Sequence, residues 1–181
     1  MSRLRGRERR RRALSLCAAV AFVFGALYLA RPRSATELRP LIDLRYPGIR
    51  WVDAPTLARW LAREPESLPL LLDVREPEEF AVSQLRDARR VAPNLADVST
   101  LHIEPGATVV VYCAVGLRSA ALFARLRASG ARNVYNLLGG IFEWAKQGRP
   151  LYRGATRAYV VHPYDRLWGT LIRPELRAEA E

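Results

Sequence analysis

One cysteine in this sequence stands where a thiol could do chemistry. Cys113 directly follows Val109–Tyr112, four β-favouring residues that predict a short buried strand. A tight loop containing Gly116 leads on to Arg118, and a helical pattern begins at Ser119. Loop amides and a helix N-terminus converge at such a strand end, where they stabilise a thiolate and can hold an anion. We therefore predict that Cys113 is a nucleophile.

The loop after this cysteine supplies the candidate substrate-binding residues. Its backbone N–H groups can point at a thiolate, and Gly116 allows the turn without a Cβ clash. Arg118 adds a permanent positive charge, which could orient an anionic substrate or brace the loop. The alternative for Cys113 is a buried structural thiol. The candidate site comprises Cys113 as catalytic residue and Ala114, Val115, Gly116, Leu117 and Arg118 as substrate-binding residues.

Strand-like and helix-like patterns alternate on both sides of this loop. Strands are predicted at residues 70–74, 88–91, Val109–Tyr112 and Val134–Leu137. Helices are predicted after the capping residue Asp53 and at residues 76–80, 119–128 and 141–147, with a loop or short helix at 93–101. Such alternation is typical of an α/β fold with a largely parallel sheet.

The N-terminal 30 residues predict a membrane anchor. Seven arginines precede residues 13–30, a run of 18 residues without a charge. As a helix this run spans roughly 27 Å, close to the hydrocarbon thickness of a bilayer. The positive-inside rule places the flank 1–12 in the cytoplasm, and we expect a bacterial inner membrane with the following domain in the periplasm. A cleaved signal peptide is the alternative, although Tyr28 before Ala30 suits a cleavage site poorly.

The rest of the chain divides into three predicted parts. Residues 31–50 contain Pro32, Pro40 and Pro47 without sustained periodicity, and we expect a linker there. Residues 51–150 form the predicted α/β domain. Residues 151–181 form an extension whose aromatic side chains are expected to pack back on that domain, and His162 within it could lie near the thiol.

The net charge of +11 does not indicate a nucleic-acid partner, because it is concentrated at the N-terminus. Residues 1–33 hold nine arginines and one acid, Glu8, which leaves about +3 for residues 34–181. We therefore expect no nucleic-acid binding. Cys17 lies inside the apolar run and is expected to be inert, so the domain has no second cysteine with which Cys113 could form a disulfide.

Three segments in order resemble a rhodanese domain, with the similarity covering about residues 51–150. They are residues 73–80 (DVREPEEF), 111–119 (VYCAVGLRS) and 133–144 (NVYNLLGGIFEW). The resemblance implies a three-layer α/β domain whose central, mostly parallel sheet is flanked by helices. It also implies a sulfurtransferase in which Cys113 carries a persulfide between a donor such as thiosulfate and an acceptor such as cyanide or a thiol. No cofactor or metal is implied, and the oligomeric state stays open.

Two of the departures from the pattern of that family bear on local structure. The family often has Gly-His-Ile-x-Gly-Ala where this chain has residues 83–88 (SQLRDA), so that Gln84 replaces the histidine and Asp87 the second glycine. Because Asp tolerates a positive φ better than most residues, we expect the turn at Asp87 to persist.

Two alternative functions can be weighed at this stage. Cysteine-dependent phosphatases resemble this unit but place five residues between Cys and Arg, whereas four separate Cys113 from Arg118. The tighter loop favours a single sulfur atom over a tetrahedral phosphate. A non-catalytic rhodanese-like module that binds a partner at the membrane is the second alternative, which the intact cysteine loop argues against.

Overall fold

A five-stranded parallel sheet forms the centre of the computed structural model, which describes residues 32–179. The strands are β1 (Trp51–Val52), β2 (Leu70–Asp73), β3 (Arg89–Arg90), β4 (Val109–Tyr112), β5 (Val134–Leu137), β6 (Leu151–Arg153) and β7 (Thr156–Ala158). The α-helices are α1 (Arg39–Arg45), α2 (Ala54–Leu61), α3 (Pro77–Val82), α4 (Leu117–Ala128) and α5 (Gly140–Lys146). Short 3-10 helices span Ala35–Leu38, Pro65–Ser67, Val98–Leu101, Trp168–Leu171 and Pro174–Leu176.

Strand β4 lies at the middle of the sheet, whose order is β1-β5-β4-β2-β3 with every neighbouring pair parallel. All four residues of β4 are completely buried, as expected for a parallel strand covered on both faces. β6 and β7 form a separate antiparallel hairpin. The predicted α/β class with a central parallel sheet is therefore confirmed, and Cys113 lies at the carboxyl end of its central strand.

Two apolar clusters cover the two faces of the sheet. Along β4, Val109 and Val111 belong to one cluster, and Val110 and Tyr112 belong to the other, because successive side chains of a strand point to opposite faces. Helix α4 packs in the first cluster, and helices α2 and α5 pack in the second. This arrangement gives the three layers that the resemblance implied.

The prediction of a linker at residues 31–50 is wrong for most of that range, because helices occupy it. The 3-10 helix Ala35–Leu38 runs directly into α1, and the side chains of Ala35, Leu38 and Ile42 are buried in the core. In the sequence, Pro40 favours an interruption of regular secondary structure. It lies instead in the first turn of α1, where its missing N–H removes no helical hydrogen bond. The spacing from Leu38 to Ile42 is one helical turn, which puts both on the buried face.

No helix within residues 32–179 is long and apolar enough to cross a membrane. The membrane span predicted at 13–30 and the basic flank at 1–12 lie outside the described residues.

The two departures from the family pattern have structural roles. Asp87 adopts a φ of 56°, which confirms that aspartate can make the turn. Gln84 pairs with Tyr152 through backbone bonds of 2.7 and 2.9 Å. With its amide oriented to suit its neighbours, its side chain also donates to the carbonyl oxygens of Tyr152 and Phe80 and accepts from the N–H of Gly154. Gln84 thus attaches the β6–β7 hairpin to the domain.

A buried ion pair joins β2 to the segment that follows it. The guanidinium of Arg75 contacts the carboxylate of Asp73 at 2.6 Å, and both side chains are completely buried. Arg75 also donates to the carbonyl oxygens of Glu79 (3.2 Å) and Ser83 (2.5 Å). Burial by itself lowers the pKa of Arg75, but the charge and hydrogen bonds of Asp73 outweigh burial and raise it. The sequence segment 73–83 is therefore folded around one charged side chain.

We expect Arg75→Met to lower the free energy of unfolding by about 3–5 kcal/mol, because it leaves the carboxylate of Asp73 buried without its charged partner. Urea unfolding followed by circular dichroism measures this. The exposed Arg63 provides a matched control, since Arg63→Met should change the value by less than about 0.5 kcal/mol. An equal loss of unfolding free energy in both variants would show that the Asp73–Arg75 ion pair does not stabilise the fold.

Candidate active site

The candidate nucleophile lies in a short turn between the central strand and a helix. β4 ends at Tyr112 and α4 begins at Leu117, two residues earlier than predicted. The N–H of Gly116 donates to Sγ of Cys113 at 3.2 Å. Gly116 has a φ of 103°, a backbone conformation that residues other than glycine rarely adopt. The structure thus brings the sulfur to the N-terminus of α4, and Arg118 lies in the first turn of that helix.

The first turn of α5 determines how the loop peptides are oriented. The N–H of Ile141 donates to the carbonyl oxygen of Cys113 at 2.9 Å, and that of Phe142 donates to the carbonyl oxygen of Ala114 at 3.1 Å. The carbonyl and N–H of one trans peptide point in opposite directions. The N–H groups of Ala114 and Val115 are therefore directed away from α5.

This close approach requires Gly140, which the sequence had suggested only as part of a turn. A Cβ at Gly140 would lie 2.3 Å from the carbonyl oxygen of Cys113 and 2.5 Å from that of Ala114. Both distances are far below van der Waals contact, and both neighbours are backbone atoms. The glycine pair before the helical pattern at 141–147 was the available sequence signal.

The other end of the loop is attached to β5 by two buried polar side chains. The hydroxyl of Ser119 donates to Oδ1 of Asn136 at 2.7 Å, and Nδ2 of Asn136 donates to the carbonyl oxygen of Gly116 at 2.9 Å. Ser119 and Asn136 are completely buried. Neither was predicted as a site residue, since an isolated serine or asparagine carries no distinctive sequence signal.

Arg118 is paired with a carboxylate that the sequence did not assign to the site. Its two terminal nitrogens donate to the two carboxylate oxygens of Glu79 at 2.6 and 2.8 Å. Burial by itself lowers the pKa of Arg118, but the hydrogen bonds to Glu79 and the electrostatic attraction of the nearby Cys113 and Glu79 raise it above its ordinary value. Arg118 therefore stays charged, and its position at the loop is held from α3.

Glu79 could have been found from the capping pattern of α3. Its carboxylate accepts the N–H of Glu76 at 3.1 Å, and Glu76 is the N-cap residue three positions earlier. A glutamate at this spacing from an N-cap is the sequence signature of a capping box. Only the tertiary structure shows that the same buried carboxylate also reaches Arg118.

A small pocket opens over the thiol. It holds about 390 Å³ of empty space, counting the part open to solvent. Cys113 is only 1% exposed, so a substrate must approach its sulfur through this pocket. The lining residues are Cys113, Ala114, Val115, Leu117, Arg118, Tyr164 and Trp168.

Two of these lining residues, Tyr164 and Trp168, come from the C-terminal extension. The sequence had predicted that aromatic side chains there pack back on the domain, without placing them at the site. The guanidinium carbon of Arg118 lies 4.7 Å from the ring centroid of Tyr164, in cation–π contact. His162 is not among the lining residues, and its Nδ1 accepts the N–H of Tyr164 at 2.9 Å.

Within residues 32–179, no group of three or more His, Cys, Asp or Glu side chains is arranged to hold a metal ion. The chemistry that these residues can perform is that of a cysteine sulfur that accepts the N–H of Gly116 at the base of a small, mostly apolar pocket.

We expect Gly140→Ala to destabilise the protein by about 1–3 kcal/mol more than Gly148→Ala, because only at position 140 does the new methyl group collide with backbone. Gly148 is a matched control, since its φ of 68° is similar to the 58° of Gly140 but nothing lies within 4 Å of the position that its Cβ would take. Urea unfolding of both variants measures the difference. Equal losses would show that backbone strain, rather than the contact with the loop, requires glycine at 140.

The sequence is similar to a known protein family and to several of its members. The family model of the rhodanese-like domain matches residues 56–147. A sulfurtransferase of Allochromatium vinosum is 35% identical over 100 residues, which are 55% of this chain and 92% of that protein. A tRNA uridine(34) hydroxylase of Paraburkholderia phytofirmans is 31% identical over 134 residues. The matched region is 64% of this chain but only 46% of that enzyme.

Among solved structures, a thiosulfate sulfurtransferase from Pseudomonas aeruginosa superposes with a TM-score of 0.55. The match covers 68% of this chain and 24% of that one at 23% identity, and it shows a shared fold. The family model covers half of the chain, and the sulfurtransferase from Allochromatium vinosum matches over nearly its whole length. The chain therefore belongs to the rhodanese-like domain family.

Proposed function

We propose that this protein is a sulfurtransferase that carries sulfane sulfur as a persulfide on Cys113. The observation that supports this most directly is the contact of 3.2 Å between the N–H of Gly116 and Sγ of Cys113, in a loop of four residues before Arg118. Cysteine is the one side chain that is both strongly nucleophilic and able to bear a second sulfur atom. The name of the relative in Allochromatium vinosum supports the same class of reaction.

The first half-reaction loads the cysteine. The thiolate of Cys113 attacks the outer sulfur of a donor such as thiosulfate, so that a new S–S bond forms at Sγ. The bond between the outer sulfur and the sulfonate group breaks, and sulfite leaves with the electron pair. N–H groups of the loop hold the negative charge on the resulting persulfide.

The second half-reaction returns the thiolate. A nucleophilic acceptor, either cyanide or a thiolate, attacks the outer sulfur of the persulfide. The bond between the two sulfur atoms breaks, and its electron pair stays on Sγ of Cys113. The cycle needs no external oxidant or reductant, because the donor supplies sulfur that is already at the required oxidation level.

The roles of the other site residues follow from their contacts. Gly140 and α5 orient the loop peptides, while Ser119 and Asn136 hold its far end. Arg118 is bound bidentately by Glu79, which favours its role as a brace over that of a free anion-binding cation.

With thiosulfate and cyanide as substrates, we expect the full chain to form thiocyanate and Cys113→Ala to form none above background. Mass spectrometry of the protein after thiosulfate treatment should show the addition of one sulfur atom. The Cys17→Ala variant is the matched control and should still load sulfur. If neither thiocyanate nor a persulfide on Cys113 is detected, the result would favour a non-catalytic binding module.

We also propose that residues 13–30 anchor the protein in a bacterial inner membrane, with the domain in the periplasm. The support is the uncharged run of 18 residues preceded by seven arginines. A membrane position would allow the domain to act on sulfur compounds outside the cytoplasm.

We expect alkaline phosphatase fused after Glu181 to be active in a bacterial host, because this reporter folds only outside the cytoplasm. Deletion of residues 13–30 should abolish its activity. A fluorescent reporter that works only in the cytoplasm, fused at the same place, should stay dark. The reverse pattern of the two reporters would contradict the proposed orientation.

A further inference from the structure

Residues 162–170 of the C-terminal extension carry the aromatic side chains of the pocket, and contacts hold this segment at both ends. Before it, the hydroxyl of Ser83 in the domain donates to the carbonyl oxygen of Val160 at 2.7 Å. The N–H of Val161 donates at 2.8 Å to the carbonyl oxygen of Leu176, which follows the segment in the same extension, so this bond joins the two ends to each other. After it, Leu171 and Ile172 are buried in the core. Residues 162–170 therefore form a loop with two anchored ends, and this loop holds the aromatic side chains at the pocket.

Local hydrogen bonds orient the two aromatic residues of this loop. The side chain of His162 accepts the N–H of Tyr164 at 2.9 Å, and the carboxylate of Asp165 accepts the N–H of Trp168 at 2.8 Å. Tyr164 has a φ of 68°, which is uncommon and unfavourable for a bulky residue. Anchored ends and these two contacts hold the backbone in that conformation, and the Tyr164 ring lies against Arg118.

Apart from the amides of the cysteine loop, the walls of the pocket offer no unpaired positive charge. Of the lining side chains, only Arg118 bears a permanent charge, and Glu79 binds it through both carboxylate oxygens. One face of the same guanidinium is covered by the ring of Tyr164 at 4.7 Å. The remaining walls are apolar or aromatic, and Leu117 and Tyr164 are 40% and 47% exposed. A carbon skeleton can therefore be buried here, whereas an anion finds mainly the loop amides.

We propose that Tyr164 and Trp168 are specificity-determining residues that select, as sulfur acceptor, an organic thiol with an apolar or aromatic carbon skeleton. The inference rests on the proposed persulfide of Cys113. The thiolate of the acceptor attacks the outer sulfur and forms a new S–S bond. The bond from that sulfur to Sγ of Cys113 breaks with its electron pair on Sγ, so the products are an organic persulfide and the Cys113 thiolate.

The test measures the second half-reaction alone. The full chain is loaded with thiosulfate, freed of excess donor, and mixed with either benzyl mercaptan or 2-mercaptoethanol, two alkyl thiols that differ mainly in the group attached. The second-order rate constant for loss of the persulfide is measured for each thiol. We expect the wild type to favour benzyl mercaptan, and Tyr164→Ala to reduce that preference by about tenfold.

Three further variants test whether the aromatic rings in the pocket cause the preference. Tyr164→Phe keeps the ring and should keep the preference, while Trp168→Ala should lower it in the same direction as Tyr164→Ala. Tyr159 is 74% exposed and does not line the pocket, so Tyr159→Ala should behave as the wild type. Rescue by phenylalanine separates contact with the acceptor from loss of a hydroxyl.

Each outcome bears on one proposal or the other. If Cys113 takes up no sulfur, the proposed function fails and this inference fails with it. If sulfur loads normally but both thiols react equally, or if Tyr164→Ala leaves their ratio unchanged, the aromatic wall does not select the acceptor, and only this inference is overturned.

Discussion

The site depends on two hydrogen bonds between the first turn of α5 and the loop that carries the thiol. The N–H groups of Ile141 and Phe142 bind the carbonyl oxygens of Cys113 and Ala114, which orients the peptides of the loop. The approach is possible only because position 140 has no Cβ. A helix that contributes no side chain to the reacting atoms thus determines which way the groups around the sulfur face.

A second set of contacts reaches the loop from β2 and α3. Asp73 at the end of β2 binds Arg75, which donates to the carbonyl oxygen of Glu79, whose carboxylate in turn binds Arg118. Buried charges are costly unless each is paired, so these groups constrain one another. The strand β2, the helix α3 and the first turn of α4 are consequently held in one arrangement around the pocket.

Several features could be predicted because they depend on local chemistry. The apolar run Val109–Tyr112 predicted a buried strand, and Asp87 was expected to allow a turn with positive φ, which its value of 56° confirms. The linker predicted at 31–50 failed because prolines often mark breaks, whereas Pro40 lies in the first turn of α1. The burial of Leu38 and Ile42 depends on contact with distant core residues, which local pattern does not reveal.

By itself, the sequence determined the α/β class, the strand–loop–helix unit around Cys113 and the four-residue spacing to Arg118, because these follow from residue type and short-range order. Only the tertiary structure decided which distant groups meet at that unit. The bidentate pairing of Glu79 with Arg118, the contact of Gly140 with the loop and the placement of Tyr164 over the pocket all join residues that lie far apart in the chain. Such contacts arise from packing of separate elements, so no local pattern specifies them.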